Sequence, residues 1–245
     1  MKKIKKNADI ILASNVFAHS NDLKIMAECM LKLIKENGTI IIEIQYLLDT
    51  LKDLTFDNIY HEHYNYWSLT SLITFFNRFN AKIFRAEKID THGGSIRVYI
   101  KKSKKVKTEK SVSEILSLEE KSGIKNYQTY KNFAKKVYKI RENVRKNILQ
   151  LASKEKKIIG YGSPAKATTA LNFFGISNEI KYIVEDNQLK QGKFLPGMKI
   201  PIMSKESIKT KPDCAIVLAW NFIDEIKRKN ANLAHKFISI KDLEK

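Results

Sequence analysis

Apolar and polar positions alternate between strand and helix spacing along most of the 245 residues. Ala8 to Asn15 carries a continuous apolar run that closes on polar Ser14 and Asn15, the pattern of a strand buried on both faces of a parallel sheet. Asn21 or Asp22 then caps a helix predicted to run to about Lys35, with Leu23, Met26, Ala27, Met30, Leu31 and Ile34 on its apolar face and Asn37-Gly38 as its stop. Thr39 to Ile44 reads as the next buried strand, with Glu43, Gln45 and Tyr46 at its end. Behind Ser68 or Thr70 as cap, Leu69 to Phe79 places Leu72, Phe75, Phe76 and Phe79 at helical spacing. Lys82 to Ile89 and Ser95 to Lys101 alternate as two antiparallel strands around Gly93-Gly94.

The pattern then changes. Lys102 to Ser111 is a charged linker without apolar period, and beyond it Tyr127, Tyr130, Phe133, Val137, Ile140, Val144, Ile148 and Leu151 recur every three or four residues. That spacing predicts a long amphipathic helix, packed against its own domains or in a coiled coil with a partner. From Lys156 a short apolar strand passes through Gly160 and Gly162 into a helix started by Pro164. Ile180 to Val184 and Ala215 to Ala219 read as further strands, ending in Glu185-Asp186-Asn187 and Trp220-Asn221. The expected division is 1–105, a helical linker 106–155, and a small parallel α/β domain 156–245.

Composition narrows the partners. The formal charge of +19 points to an anionic ligand or nucleic acid, yet only six of the 45 basic residues are arginine and the lysines are scattered. With no recognition-helix or zinc-finger pattern, nucleic acid is the weaker reading. Cys29 and Cys214 stand alone, so neither a disulfide framework nor a metal site is expected. No apolar run reaches the length of a signal core or membrane span, and the expected setting is the cytoplasm.

Chemistry concentrates in Asp57 to Leu69. Tyr60, His61, Glu62 and His63 offer a group that titrates near neutrality, a carboxylate to orient it and a phenol able to donate to an oxyanion. The same residues also suit a polar, aromatic surface turn. Ligands of doubly wound sheets lie outside the carboxyl ends of strands, which gathers Asn15, His19, Glu43 and Gln45 near this segment. His19 is equally a polar helix-entry residue. The Gly160–Lys166 stretch directs backbone N–H groups and a helix start toward a prospective anion, and a pyridine dinucleotide is the rival ligand.

Tyr60-His61-Glu62-His63, followed by His92-Gly93-Gly94-Ser95-x-Arg97, resembles the S-adenosylmethionine-dependent sugar C-methyltransferases. The blocks Gly160-Tyr161-Gly162-Ser163-Pro164-Ala165-Lys166, Lys190-Gln191-Gly192-Lys193-Phe194-Leu195-Pro196-Gly197 and Trp220-Asn221 resemble their C-terminal domain, with Gln188 where the family more often has proline. The resemblance implies an α/β fold: the C-terminal half of a class I methyltransferase sheet, a long linking helix, and a second, Rossmann-like domain on the substrate side. It implies methyl transfer to a carbon of a nucleotide-linked keto-sugar, with His63 as base, Glu62 tuning it, Tyr60 on the enolate side and His19 as a second acid or base. Ser14 and Asn15 would meet the cofactor. Gly160, Gly162, Ser163, Lys166, Glu185, Lys190, Lys193, Trp220, Asn221 and Arg97 would meet the nucleotide-diphosphate sugar. Set against the same family, the zinc module and the glycine-rich cofactor loop are expected to be absent from this chain, which matches only the C-terminal part of the family's pattern. The expectation is then weak S-adenosylmethionine binding by this chain alone, a complementing N-terminal fragment as partner, or a non-catalytic subunit that binds a nucleotide sugar.

Overall fold

The computed structural model describes residues 7–91, 93–103, 105–155 and 157–245, and the side chain of Asn221 lies outside that description. His92 of the family motif also lies outside it. The chain divides into two compact units, one made of Met1–Thr55 and His61–Phe133, the other of Phe56–Tyr60 and Ala134–Lys245.

In the first unit the elements run β1 (Ala8–Ser14), α1 (Leu23–Leu33), β2 (Ile34–Gln45), α2 (Leu47–Asp53), α3 (Leu69–Asn77), β3 (Lys82–Ile89), β4 (Ser95–Lys101) and α4 (Lys110–Lys121). The helix α5 (Tyr127–Lys154) begins here and continues into the second unit. The strands pair in the order β1-β2-β4-β3, parallel between β1 and β2 and antiparallel elsewhere. Ile40, Ile42 and Ile44 of β2 and Ile96, Val98 and Ile100 of β4 are buried on one face, as period-two alternation requires. Phe17, Trp67 and Phe76 complete that core, with Phe17 and Trp67 ring centroids 5.6 Å apart. The opposite face is polar: Arg97 donates to Glu43 at 2.6 Å, and Tyr99 donates to Glu87 at 3.1 Å.

Three expectations need correction. Strand β1 is an edge strand, and Ile10 and Leu12 are 64% and 65% exposed rather than buried on both faces. Helix α1 ends at Leu33, because buried Ile34 turns extended (ψ 141) and starts β2. Asn37-Gly38 therefore sits inside β2, where the register against β1 shifts; a side chain on Gly38 would come within 2.9 Å of the Asp9 carbonyl. The supposed linker to Ser111 runs into α4, which places Glu119 in the interior.

Glu119 is 1% exposed. Its Oε1 accepts from the Leu69 amide at 2.6 Å and the Tyr46 hydroxyl at 2.9 Å, while Oε2 accepts from the Thr70 amide at 2.9 Å and the Thr70 hydroxyl at 2.6 Å. The first N–H groups of a helix lack intrahelical partners, and this carboxylate supplies them for α3, beside the Ser68 cap. Burial first, then the neighbouring Glu119 charge, pushes the Tyr46 hydroxyl far above its ordinary range.

The second unit is a five-stranded parallel sheet. Its elements are β5 (Ile158–Tyr161), α6 (Ala165–Phe174), β6 (Ile183–Val184), β7 (Ile202–Met203), β8 (Cys214–Val217), α7 (Ile223–Lys229) and β9 (Lys236–Ser239). The order β7-β6-β5-β8-β9 reverses direction between β5 and β8, the doubly wound arrangement. Helix α5 buries Val137, Ile140, Val144 and Ile148 and packs beside α6, where Arg145 donates to the Phe174 carbonyl at 3.1 Å, while Tyr127, expected on the apolar face, is exposed. Strands β7 and β9 were not legible, and the second strand is confined to Ile183–Val184.

Glu119→Ala should destabilise the first unit by about 3 kcal/mol, since it leaves buried donors without an acceptor. Tyr46→Phe, which removes one of the four hydrogen bonds, should cost about 1 kcal/mol. Urea unfolding followed by Trp67 fluorescence, with Trp220 replaced by Phe, checks both.

Candidate functional site

Each unit presents polar residues at the carboxyl ends of its strands. In the first unit β1 ends at Ser14, and Asn15 turns the chain with a φ of 54° while its amide donates to the Glu43 carbonyl at 2.8 Å. Both side chains are exposed, with Asn15 Nδ2 3.4 Å from Ser14 Oγ. The turn Phe17–His19 follows, its Phe17 and Ala18 buried beneath. The Tyr64 amide donates to the Ala18 carbonyl at 3.1 Å and Asn65 Nδ2 to the Ser20 carbonyl at 3.4 Å. Those bonds bring together two residues distant in sequence: the His19 and His63 rings stand edge to face, 4.9 Å between centroids. Tyr66 flanks His63 at 6.2 Å.

Glu62 is exposed, its carboxylate 4.0 Å from His61 Nε2, and the His61 side chain is 85% exposed. Tyr60 is half-buried and belongs to the second unit with the turn Phe56–Asn58. Arg97, expected at the substrate, lies within β4 with its guanidinium on Glu43.

The second unit holds a crevice of about 320 Å³ at the carboxyl ends of β5, β6 and β8, where ligands of doubly wound sheets bind. Gly160 is inside β5, its amide spent on the Tyr182 carbonyl at 2.9 Å, which places it in the sheet rather than in the loop. Gly162 has a φ of +83°, and a Cβ there would stand 3.0 Å from Ala219 Cβ, so only glycine lets the loop pass the end of β8.

Glu185 closes on that loop. Its Oε2 accepts from the Ser163 amide at 2.8 Å and the Ser163 hydroxyl at 2.6 Å, and Oε1 accepts from the Asn187 amide at 3.0 Å. Lys190 Nζ donates to the Ser163 carbonyl at 2.8 Å and lies 3.9 Å from Glu185. Burial alone would raise the Glu185 carboxyl; the Ser163 hydroxyl, the two amides and Lys190 outweigh it and hold the group below its ordinary value. Asp186, next in sequence, takes Tyr161 Oη at 2.9 Å and Lys205 Nζ at 2.7 Å. The side chain of Lys193 is exposed. Trp220 donates its indole N–H to Asp57 at 3.0 Å, and Lys166 Nζ lies 5.7 Å from the indole ring. The pairing of Asp57 with Trp220 was not legible, because 163 residues separate the partners. Among the described residues, no cluster of three His, Cys, Asp or Glu is arranged to hold a metal ion, and no helix is long and apolar enough to cross a membrane.

Residues 90–239 match the family model of the C-methyltransferase C-terminal domain. The chain belongs to this family. It is also 34% identical over 222 residues to C-methyltransferase NovU of Streptomyces niveus, a stretch covering 89% of this chain and 53% of that protein. The chain thus spans about half the length of that relative. The match to the C-methyltransferase family model takes in the crevice, the Ser163–Glu185 contact and Trp220, whereas His19, Tyr60 and His63 precede it.

The Glu185 contact has a pH signature. A carboxyl held below its ordinary value of 4.5 stabilises the fold fully above that value, and loses the stabilisation as pH falls through the depressed folded-state value. Thermal melts of the second unit, read by Trp220 fluorescence, should drop steeply below the ordinary value. Glu185→Gln should flatten that dependence while melting lower at neutral pH.

Proposed function

We propose that this chain carries the base and the substrate-side domain for methyl transfer from S-adenosylmethionine to a carbon of a nucleotide-linked keto-sugar. The observation that carries the reading is His63, half-buried and edge-on to His19 near the end of β1, in a chain of the C-methyltransferase family. Methylation at carbon needs a nucleophilic carbon, made by removing the proton beside the sugar ketone. His63 takes that proton at an imidazole nitrogen, the C–H electron pair moves into the enolate, and His19 beside it is placed to pass the proton onward. Tyr60 donates its hydroxyl to the enolate oxygen, and Glu62 is the carboxylate that tunes the imidazoles of the segment.

Ser14 and Asn15 fit the cofactor's polar ends: both are exposed at the end of β1, and a hydroxyl and an amide together can donate to a carboxylate and accept from ribose hydroxyls. S-adenosylmethionine, when bound, supplies an electrophilic methyl group. The nucleotide portion is assigned to the second unit, with its diphosphate met by Lys166, Lys190 and Lys193 and its remainder by Ser163, Glu185, Trp220 and Asn221. In this reading the enzyme works in the cytoplasm, and its ligand is a nucleotide sugar rather than nucleic acid.

His63→Asn in the active enzyme should lower methyl transfer by about 10²-fold or more, with His61→Ala costing far less. The enzyme should also exchange the hydrogen beside the ketone for deuterium from heavy water without methyl transfer, and His63→Asn should not. Normal turnover by His63→Asn would sink the assignment. For the substrate side, uridine diphosphate at millimolar concentration and low salt should raise the melting temperature of the second unit. No shift, or tighter binding of duplex DNA at physiological salt, would overturn it.

A further inference from the structure

The crevice of about 320 Å³ in the second unit is lined by the carboxylates of Glu185, Asp186 and Glu225 and the ammonium groups of Lys190 and Lys229. In a chain of formal charge +19, positive charge is scarce here. Lys229 already pairs with Glu225 at 2.5 Å, and Lys190 lies 3.9 Å from Glu185.

The donors around the crevice are committed as well. The Gly162 amide bonds to the Val184 carbonyl at 2.8 Å, the Ser163 amide and hydroxyl both go to Glu185 Oε2, and the Asn187 amide goes to Glu185 Oε1. Lys190 gives one N–H to the Ser163 carbonyl at 2.8 Å. A phosphate entering here would find few donors and a carboxylate of its own sign.

Acceptors, by contrast, remain. Burial alone would raise the Asp186 carboxyl; the Lys205 ammonium and the Tyr161 hydroxyl outweigh it and hold the group below its ordinary value, as Glu185 is held. Both are therefore ionised at neutral pH, and an ionised carboxylate only accepts, at about two places on each oxygen. Among the described residues Glu185 Oε1 accepts the Asn187 amide and Asp186 Oδ2 the Tyr161 hydroxyl, so each oxygen keeps a place for one more donor. The Asp186 side chain is 61% exposed and within a ligand's reach. Beside these two consecutive carboxylates Phe222, 60% exposed, gives the crevice an apolar wall. Charged acceptors without free amides, next to an aromatic ring, suit an uncharged ring that brings its own hydroxyl donors.

We propose that the crevice takes the ribose of the nucleotide, with its hydroxyls donating to Glu185 and Asp186 and its ring against Phe222, and that the diphosphate stays outside the crevice. The inference rests on the nucleotide-sugar reading above and narrows it to one part of the ligand.

The test uses the whole chain and ligand-observed saturation-transfer NMR with uridine, which has the ribose hydroxyls and no phosphate. Uridine at millimolar concentration should bind equally at low and high salt, because the ligand brings no charge. 2′,3′-Dideoxyuridine should bind about tenfold more weakly or worse, since two charged acceptors lose their donors. Glu185→Gln should weaken uridine binding to a similar degree, and Asp186→Asn, at an exposed position, carries the variant test if Glu185→Gln does not fold. Pyrophosphate should not displace uridine. Equal binding of the dideoxynucleoside, unchanged affinity in the folded variants, or displacement by pyrophosphate overturns the proposal. Binding of methyl glucoside in place of uridine would give the crevice to the hexose and overturn the ribose assignment. If uridine diphosphate raises the melting temperature while uridine fails these tests, the crevice assignment falls and the nucleotide reading stands. If neither binds, both fall. If uridine passes while methyl transfer proves independent of His63, the crevice assignment stands without the base assignment.

Discussion

A carboxylate held at the start of a helix or in the loop before it is the constraint on which both units depend. The first N–H groups of a helix have no partner within it, and burying them unpaired is costly. In the first unit Glu119 answers this for α3 from 50 residues away in sequence. It also takes the Tyr46 hydroxyl, and so fixes the end of β2 to the start of α3. Because the Leu47 amide bonds to the Trp67 carbonyl at 2.9 Å, residues before α3 inherit that placement. His63 belongs to this stretch, and its meeting with His19 follows from an anchor that contains neither histidine.

The second unit uses the same device differently. Glu185 reaches from the end of β6 to the loop after β5 and takes the Ser163 amide and hydroxyl on one oxygen. Its partners are polar, and its site faces a crevice instead of a core. Glu119 therefore acts as a structural bolt, whereas Glu185 stands at the edge of a crevice.

What the sequence made legible follows from the range of each interaction. The antiparallel pair β3 and β4 was readable to the residue, because alternation and the Gly93-Gly94 turn are local. The strand–loop–helix around Gly162 was readable for the same reason. The burial of β1 was not, since a continuous apolar run says nothing of which neighbours a strand receives, and Ile10 and Leu12 face outward at a sheet edge. Asn37-Gly38 misled because the dipeptide that ends a helix also suits an irregular strand, and the choice was made by burial of Ile34. Of the candidate site, His19 and His63 were legible as residues. The bonds that join them run through backbone carbonyls of Ala18 and Ser20, which carry no side-chain signal.

The donors of the second unit's first loop are already spent within the unit. In many doubly wound sheets the loop after the first strand offers free amides to a phosphate. Here the Gly162 amide bonds to the Val184 carbonyl at 2.8 Å and the Ser163 amide to Glu185, so an arriving phosphate would face a carboxylate of its own sign. Among the described residues no arginine lines the crevice: Arg145 donates to the Phe174 carbonyl at 3.1 Å, and Arg141 lies 5.4 Å from the Phe173 ring. The cations lining the crevice are Lys190 and Lys229, compact ammonium ions on flexible stems that impose little geometry on a phosphate. Attraction of that kind weakens with salt unless the ammonium is partly buried, where screening is less. Lys166, at the second position of α6, is half-buried.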